Sequence, residues 1–492
     1  MFAYPRPLAL LLSVGILTGC AVGPDYRSPE IGLSSTFLGQ EAVDHRQVQQ
    51  QADLTIWWAA FDDSLLTHFI SLALEQNLDI AQAAARVAQS RASLRYADAA
   101  LLPAANVGTS AARVYQSVET PLGQLLNATP GFDRHGSSYE ANLGASWEID
   151  VFGGLRRGQE AARAAYEASE AGAVATRLAV AAQTADVYVT VRGLQARIAI
   201  ARQQVDTRRQ LLAMVRLQYE KGIAAELQMN QAAGSLTQAE AQIPILEAGL
   251  DAAMNALDVL LGVQPGTCRT ELAAVKPVPV APGLTATGTP ADMIRRRPDL
   301  IAAERRLAAA NARIGVAISE YYPKFSLAGL LGSATAMGRG NLFTGGASQA
   351  QGVLGLRWHL FDFGRVDAQI AAARGQEAEA LAAYRLVVLR AAEDVENAFS
   401  ALVKREAQVG ILTRGESSFA RARENSFAAY QGGVVSLIEV LDADGNLLQA
   451  RDAKAQAKTE AARAAIASFR ALGGGWDAPH ADSNRLPTND LR

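Results

Sequence analysis

Histidine and cysteine, the side chains that most often perform nucleophilic or metal chemistry, are scarce in this sequence. Its 492 residues include five histidines and two cysteines. None of the histidines lies in a recognisable motif with a serine and a carboxylate; they are His45, His68, His135, His359 and His480. The sequence therefore predicts no catalytic residue and no site for a metal or a cofactor, which argues against a hydrolase.

One cysteine nevertheless stands in a motif with its own chemistry. Arg6 precedes an apolar run over 8–17 that is too short to span a bilayer. The run ends in Leu17-Thr18-Gly19-Cys20, which resembles the lipobox of bacterial lipoproteins. We therefore expect a signal peptide over 1–19 and a covalent lipid on Cys20. The alternative is a plain secretory signal with a chance cysteine at the cleavage site.

The lipid would determine where the chain lies. Several acyl chains on one residue anchor a protein firmly, so the segment 20–62 is expected to be tied to a membrane. Ala21 stands where an aspartate would favour the inner membrane, which favours the outer membrane of a Gram-negative bacterium. Cys268 is then the only remaining thiol, without a partner for an internal disulfide, and we interpret it as a small packed residue.

Composition excludes nucleic acid as a partner and favours long helices. The chain has 46 Lys and Arg against 49 Asp and Glu, for a formal net charge of −3, which leaves no overall basic field. Apolar residues reach 49% and aromatic residues only 6%. Alanine makes up much of the difference between these two fractions, and it favours closely packed helices.

After Cys20 no run of about 18 uncharged apolar residues occurs, so any segment within the membrane is expected to consist of β-strands.

The sequence contains a tandem duplication. Four short anchors recur in the same order, at offsets between about 211 and 220 residues. They pair Leu78-Asp79-Ile80 with Pro298-Asp299-Leu300, Phe152-Gly153 with Phe363-Gly364, Tyr219–Gly222 with Tyr430–Gly433, and Leu261-Gly262 with Leu472-Gly473. We expect one repeat over 63–264 and another over 290–472, joined by a linker over 265–289 and followed by a disordered tail over 473–492.

Each repeat is predicted to contain a helix, two strands and a long helical hairpin. Prolines end the first helices, expected over 63–101 and 290–322. At 1.5 Å per residue, the first long helix (155–220) would extend roughly 100 Å and coil with its neighbours. The strands are expected at about 104–116, 138–151, 324–336 and 352–362, and the hairpins over 153–262 and 364–472.

The strands alternate in polarity. Leu143 and Trp147 fall on one face of the strand 138–151 and Glu148 on the other. This is the pattern of a transmembrane barrel strand, with a half-buried soluble sheet as the alternative. Trp147 and Trp358 fit either an interfacial belt or a core. Four strands cannot close a barrel, so chains must share one: two chains would give about eight strands and three about twelve.

Three motifs carry a resemblance to a known family. They are V-G-P-D-Y at 22–26, R-R-P-D-L-I-A-A-E at 296–304 and Y-Y-P-K-F-S-L at 321–327. In this order they resemble the NodT-type outer membrane efflux lipoproteins of the TolC superfamily. The resemblance implies a membrane protein of mixed α and β structure that forms a homotrimer. Its 12-stranded transmembrane barrel, with four strands from each chain, would continue into a long periplasmic α-helical barrel.

The resemblance also implies a function and partners. It implies a passive, gated duct that exports small molecules such as drugs or other toxic compounds. The duct would take them from an inner-membrane pump of the resistance–nodulation–division type, through a periplasmic adaptor (membrane fusion) protein. The pump would select the cargo. A lipid-anchored coiled-coil spacer without a pore is the alternative, which the alternating strands oppose.

The gate is expected where the second hairpin turns. In the family, acidic residues six and nine positions after the turn glycine face the lumen, and counting from Gly433 gives Glu439 and Asp442. Three copies would form a negative ring that selects cations; two solvated helix charges are the alternative. Tyr430 matches a family residue that can form a hydrogen bond to a neighbouring hairpin. The first hairpin has Gln228 and Gln231 instead, and Val435 replaces a basic residue of the family.

The resemblance places adaptor contact at the same two turns. Small residues there would leave a groove between adjacent hairpins for another helical tip. The expected docking residues are Gly222, Ile223, Ala224, Ala225, Gly433, Val434, Val435, Ser436 and Leu437.

Overall fold

The computed structural model describes residues 21–46, 51–284, 289–336 and 339–477. Cys20 and the predicted signal peptide therefore lie outside the described residues, as does the tail beyond 477. The α-helices are α1 (Gln40–Asp44), α2 (Ser64–Gln76), α3 (Leu78–Ala99), α4 (Pro121–Asn127), α5 (Gly154–Glu220), α6 (Glu226–Leu260), α7 (Arg269–Leu272), α8 (Pro290–Arg296), α9 (Pro298–Ser319), α10 (Arg365–Gln431) and α11 (Leu437–Ala471). Short 3₁₀ helices occur at Leu54–Phe61, Arg339–Asn341 and Gly345–Ala347.

Six strands complete the described structure, and two of them form a separate short pair. They are β1 (Gln51–Ala52), β2 (Ala104–Tyr115), β3 (His135–Ile149), β4 (Gly283–Leu284), β5 (Lys324–Thr335) and β6 (Ser348–Arg357). β1 and β4 pair in parallel. The chain divides into two compact units: one contains 88–168 and 304–383, and the other contains 30–87, 169–303 and the residues from 384 onward.

The first unit contains a four-stranded antiparallel sheet in the order β2-β3-β5-β6. Leu143, at the centre of β3, lies opposite Val107 on one side and Leu331 on the other. β2 and β6 are the edge strands, and each has one neighbour among the strands that the structure describes. Their outward backbone groups are therefore available to pair with another strand.

Two predicted strands extend too far at their C-terminal ends. β3 ends at Ile149, because the Asp150 carboxylate accepts hydrogen bonds from the first backbone N–H groups of α5, at 2.8–3.0 Å. β6 ends at Arg357 rather than at 362. Asp362 accepts in the same way from two backbone N–H groups at the start of α10, at 2.8 and 3.2 Å. Both carboxylates are N-terminal helix caps and not the last polar residues of a strand.

Each predicted first helix is two helices, so the expectation of single helices over 63–101 and 290–322 is wrong. Asn77 separates α2 from α3, because its side-chain oxygen caps the new helix and its amide donates to the Leu260 carbonyl at 2.8 Å. Arg297 separates α8 from α9 in an extended conformation, which the following Pro298 favours. The indoles of Trp147 and Trp358 donate to carbonyls near the C-terminal ends of α3 and α9, at 2.9 and 3.0 Å.

The long helices form two hairpins of equal length. α5 and α10 each contain 67 residues, and the returning helices α6 and α11 each contain 35. At 1.5 Å per residue a 67-residue helix is about 100 Å long. Among the described residues, no helix combines the length and the apolar character needed to cross a membrane.

The second unit has an aromatic core. Trp57 stacks on Phe469 with ring centroids 5.3 Å apart, and Phe61 and Tyr188 belong to the same buried cluster. Cys268 is packed into this core, as predicted, and burial raises the pKa of its thiol to about 12. The thiol is therefore neutral at physiological pH.

The start of the tail is ordered, so the expectation of disorder from residue 473 is wrong for its described part. The Gly475 N–H donates to the Leu54 carbonyl at 2.7 Å. The Trp476 indole donates to the Arg296 carbonyl at 3.1 Å. These bonds hold 473–476 against the core, and the half-buried Trp476 indole finds its acceptor there.

Candidate functional site at the hairpin tips

The two hairpins turn with the same backbone geometry. Gly222 and Gly433 have φ values of +69° and +72°, in the left-handed region that glycine adopts without a steric penalty. The next residue of each turn donates back to a carbonyl five residues earlier, Ile223 to Gln218 at 2.8 Å and Val434 to Ala429 at 2.9 Å. The tips are thus compact turns that end one helix and start the next.

A small apolar cluster supports the tips. Leu437 and Val440, at the start of α11, pack with Leu211 and Val215 of α5 and with Ala232 of α6. Leu437 is 0% exposed. It is therefore a core residue of the tip, and the expectation that it belongs to the docking surface is wrong for this chain.

The other predicted docking residues lie at or near the surface. Ile223 is 74% exposed and Val434 is 80% exposed. Ala224 and Val435 are half-buried. The remaining members of the set are exposed: Gly222, Ala225, Gly433 and Ser436. Leu227 and Ile438, just after the turns, are also exposed, so each tip presents more than one large apolar side chain at its surface.

The acidic pair of the second hairpin differs from the glutamines of the first. Glu439 and Asp442 are exposed, and neither forms an ion pair with any residue that the structure describes. Gln228 and Gln231 are half-buried. The Gln228 side chain accepts a hydrogen bond from the Ala225 N–H at 3.0 Å and so stabilises the start of α6. The carboxylates can interact with a neighbouring molecule or a passing ion, whereas the Gln228 side-chain oxygen already accepts the hydrogen bond from Ala225.

Tyr430 links the two hairpins of one chain. Its hydroxyl donates to the Gln218 side-chain oxygen at 2.8 Å. Burial raises the pKa of this hydroxyl, so the group stays protonated and remains a donor at physiological pH. The acceptor thus belongs to the first hairpin, which is the neighbouring hairpin within the same chain.

A buried ionic cluster below the tip was missed by the sequence analysis. Asp444 is 3% exposed, and its carboxylate lies 3.4 Å from Arg423 of α10 and 3.8 Å from Arg208 of α5. It also accepts a hydrogen bond from Gln204 of α5. Arg208 in turn donates to the Ser235 carbonyl of α6 at 2.6 Å. One carboxylate therefore joins all four long helices.

A signal for this cluster is present in the sequence. Leu437, Val440, Asp444 and Leu447 are spaced three, four and three residues apart, which places them on one face of a helix. A carboxylate on an otherwise apolar face is expected to be buried and to require a cationic partner.

Two further ion pairs bind α11 to α5. Arg197 makes a bidentate pair with Asp452 at 2.7 and 2.9 Å. Arg463 makes another with Asp186 at 2.7 and 3.0 Å. Bidentate arginine–carboxylate pairs fix the orientation of both side chains, so these pairs fix α11 in register along α5.

Comparison with known proteins identifies the family. The model of the family described as "Outer membrane efflux protein" matches residues 69–263 and 289–474. The chain belongs to this family. The two matched segments contain the two long hairpins and leave out the short connection between them. Members of the family are outer membrane channels and not enzymes.

Two curated relatives and one solved structure show how far the similarity extends. Nodulation protein T of Rhizobium leguminosarum bv. viciae is 30% identical over 96% of this chain and 94% of its own length. The pyoverdine export outer membrane protein OpmQ of Pseudomonas putida is 30% identical over 96% of this chain and 98% of its own. The structure of the outer-membrane channel OprN superposes with a TM-score of 0.82 at 30% identity, covering 93% of this chain and 100% of OprN. These similarities place the chain among the outer membrane efflux channels of the TolC superfamily.

Proposed function

We propose that this chain is one subunit of a trimeric, gated efflux duct in the outer membrane. The open sheet supports this proposal, because β2 and β6 each have an unpaired edge. If β6 of one copy pairs with β2 of the next, three sheets close into a barrel of about twelve strands with room for a lumen. The long helices would then continue the duct into the periplasm as an α-helical barrel.

The duct would be anchored by lipid as well as by its strands. Acylation of Cys20, which lies outside the described residues, would add hydrophobic chains that enter the outer membrane. Replacing Cys20 with Ser should abolish palmitate labelling of the chain, and unchanged labelling would contradict this part of the proposal.

The gate would be formed by the acidic residues of the second hairpin. Three copies would bring three Glu439 and three Asp442 side chains to the periplasmic tip, where a ring of carboxylates favours cations. The observation that carries this proposal is the exposure of both carboxylates and the lack of an ion pair for either among the described residues. Tyr430 and Asp444 would hold the hairpins together in the closed state.

The turns would dock a periplasmic adaptor protein that connects the duct to an inner-membrane pump, of the resistance–nodulation–division type. Ile223 and Val434 are the exposed apolar residues of the turns, and a helical tip of the adaptor would cover them. The names of the two relatives refer to different processes, nodulation in one and pyoverdine export in the other. We infer that the pump selects the cargo, and that the duct exports a range of small molecules.

Single-channel conductance in a planar bilayer tests the gate. We expect a small conductance for the wild type and a larger one for Glu439→Ser/Asp442→Ser, because the ring is widened and neutralised. The matched control is Gln228→Ser/Gln231→Ser in the first hairpin, which should conduct like the wild type. A response of equal size in both variants would contradict the assignment of the ring to the second hairpin, and no conductance in any of the three proteins would contradict the duct.

A further inference from the structure

The first described residues are fixed to the body of the protein by polar contacts. The Val22 N–H donates to the Phe152 carbonyl at 3.0 Å. The Arg157 guanidinium donates to the Val22 carbonyl at 3.1 Å and to the Gly23 carbonyl at 3.4 Å, and it forms an ion pair with Asp25 at 2.7 Å. The Arg157 side chain is only 6% exposed. A buried guanidinium is thus used to bind the segment 21–26, the N-terminal strap.

Three glycines allow the strap to approach closely. Gly23 has a φ of +94°, and a Cβ there would lie 2.5 Å from the Gly315 Cα. A Cβ on Gly153 would lie 2.6 Å from the Ala21 Cα, and one on Gly315 would lie 2.7 Å from the Arg157 Cγ. These distances are too short for any side chain without a backbone shift. Gly153, Arg157 and Gly315 therefore form a shaped receptor for the strap, the N-terminal seat.

The other end of the strap is fixed as well. The Tyr26 hydroxyl donates to the Glu304 carboxylate at 2.5 Å. Arg305 binds the same carboxylate and lies 5.8 Å from the centre of the Tyr26 ring. Burial and the bond to Glu304 raise the pKa of the Tyr26 hydroxyl, so it remains a donor. The strap is therefore held at both ends.

The seat lies at the junction between the sheet and the long helix. Phe152 and Gly153 connect the end of β3 to the start of α5, and Phe152 stacks on Tyr322 with ring centroids 4.6 Å apart. Ala21 packs against Gly153. Cys20 lies outside the described residues and directly precedes Ala21 in the sequence.

We propose that the N-terminal seat positions the lipid anchor, so that the acyl chains enter the bilayer directly beside the inner end of β3. This inference rests on the proposed acylation of Cys20. Arg157 is a positioning residue, because it acts on the anchor only through its contacts with the strap. An anchor fixed at the sheet keeps the strands close to the membrane surface, whereas a flexible tether lowers their effective concentration there as its length grows.

Two insertions test the proposal, one between Ala21 and the rest of the strap and one beyond its far end. In the first variant, a flexible Gly-Ser segment of about 12 residues ending in alanine follows Ala21, which displaces the lipid by about 20 Å while an alanine still precedes Val22. In the matched control the same segment follows Gly32, which is exposed with open space around it. A third variant, Gly23→Val/Asp25→Asn, empties the seat and leaves the lipid adjacent to the strap. All are expressed as the full chain and labelled with palmitate.

The readouts are the palmitate label, the urea-resistant fraction of labelled chain in outer membranes, and hydrogen exchange of the Val22 amide. We expect all variants to be labelled, and the urea-resistant fraction to fall at least about threefold for the insertion after Ala21 and for the seat variant. The insertion after Gly32 should resemble the wild type. Val22 should be protected in both insertion variants and lose protection in Gly23→Val/Asp25→Asn.

The insertion after Ala21 separates positioning from mere packing, because it keeps the strap in the seat. If it inserts into the membrane as well as the control does, the seat does not position the anchor and the proposal is overturned. An unprotected Val22 amide in the wild type would overturn it as well. If the wild type itself carries no palmitate label, the acylation on which the proposal rests is overturned instead.

Discussion

The two hairpins have the same backbone and different chemistry. Their helices have identical lengths, and both turns use a left-handed glycine. The returning helix of the first hairpin presents half-buried glutamines near its start, whereas the returning helix of the second presents exposed carboxylates. The two hairpins therefore differ in their side chains and not in their backbone geometry, and the proposed gate depends on the side chains of α11.

The difference continues along the returning helices. α11 binds α5 through Asp444, Asp452 and Arg463. The residues 211 positions earlier, on α6, are all alanines; they are Ala233, Ala241 and Ala252. Ion pairs thus fix α11 to α5, the outgoing helix of the first hairpin. α6 is also paired with α5, through Glu240 and Glu247, but both of these pairs are exposed. The buried carboxylate of α11, Asp444, has an alanine at the equivalent position of α6.

The largest expected effect is that of Asp444→Ala. The substitution leaves Arg208 and Arg423 without their shared carboxylate, and breaking a buried ion pair costs about 3–5 kcal/mol. Hydrogen exchange of the amides over 437–447 in detergent-extracted protein should therefore accelerate by more than about a hundredfold. The matched control, Ala233→Ser, changes the equivalent position of α6 and should alter exchange there by less than about tenfold. Equal effects would show that the ionic cluster does not distinguish the hairpins.

The next effect concerns the apolar support of the tip. Leu437→Ala removes a fully buried side chain and should destabilise the second tip by about 2–5 kcal/mol through the cavity left behind. Glu226→Ala, at the equivalent position of the first hairpin, changes an exposed residue and should be within about 0.5 kcal/mol of the wild type. Hydrogen exchange of the backbone amides at the two tips measures both. A Leu437→Ala tip as stable as the wild type would contradict the supporting role of this side chain.

The smallest effect is a pH dependence of the second hairpin. A hydrogen bond from Lys454, assisted by Arg451, lowers the pKa of Glu416 and ties α10 to α11. This stabilisation is present above the usual glutamate pKa of about 4.3 and is lost as the pH falls through the lower folded-state pKa. Its size is below about 1 kcal/mol.

Hydrogen exchange of α10 near Glu416, measured at acid and neutral pH, checks this dependence. Acid should lower the protection factor, which is the intrinsic exchange rate divided by the observed rate at each pH, more in the wild type than in Glu416→Gln. The equivalent residue of the first hairpin is Val205, so α5 should show no matching dependence. An acid effect that persists unchanged in Glu416→Gln would exclude this ion pair as its source.

The sequence was informative where polarity has a clear period. The alternation around Trp147 located a strand, and the turn glycines located both tips. The break at Arg297 could have been anticipated from the following proline. The break at Asn77 depends on a distant contact with the Leu260 carbonyl, which no local pattern reveals.

The candidate site was less predictable than the fold. Asp444 lies on an apolar face and carried a signal, but its partners Arg208 and Arg423 come from two other helices. Leu437 belongs to a turn segment whose other members are exposed or half-buried, and only the packing of three helices buries it. The roles proposed for Glu439 and Asp442 stay predictions, because they depend on other copies of the chain.

The reversal potential across a KCl gradient tests the central claim, that the carboxylates of the second hairpin alone form the selective ring. The wild type should prefer cations, and Glu439→Gln/Asp442→Asn, which removes charge with little change of shape, should lose that preference. Gln228→Glu/Gln231→Glu in the wild-type background should add little to it, because the Gln228 side chain is half-buried and bonded to the Ala225 N–H. An unchanged reversal potential in Glu439→Gln/Asp442→Asn would contradict the account.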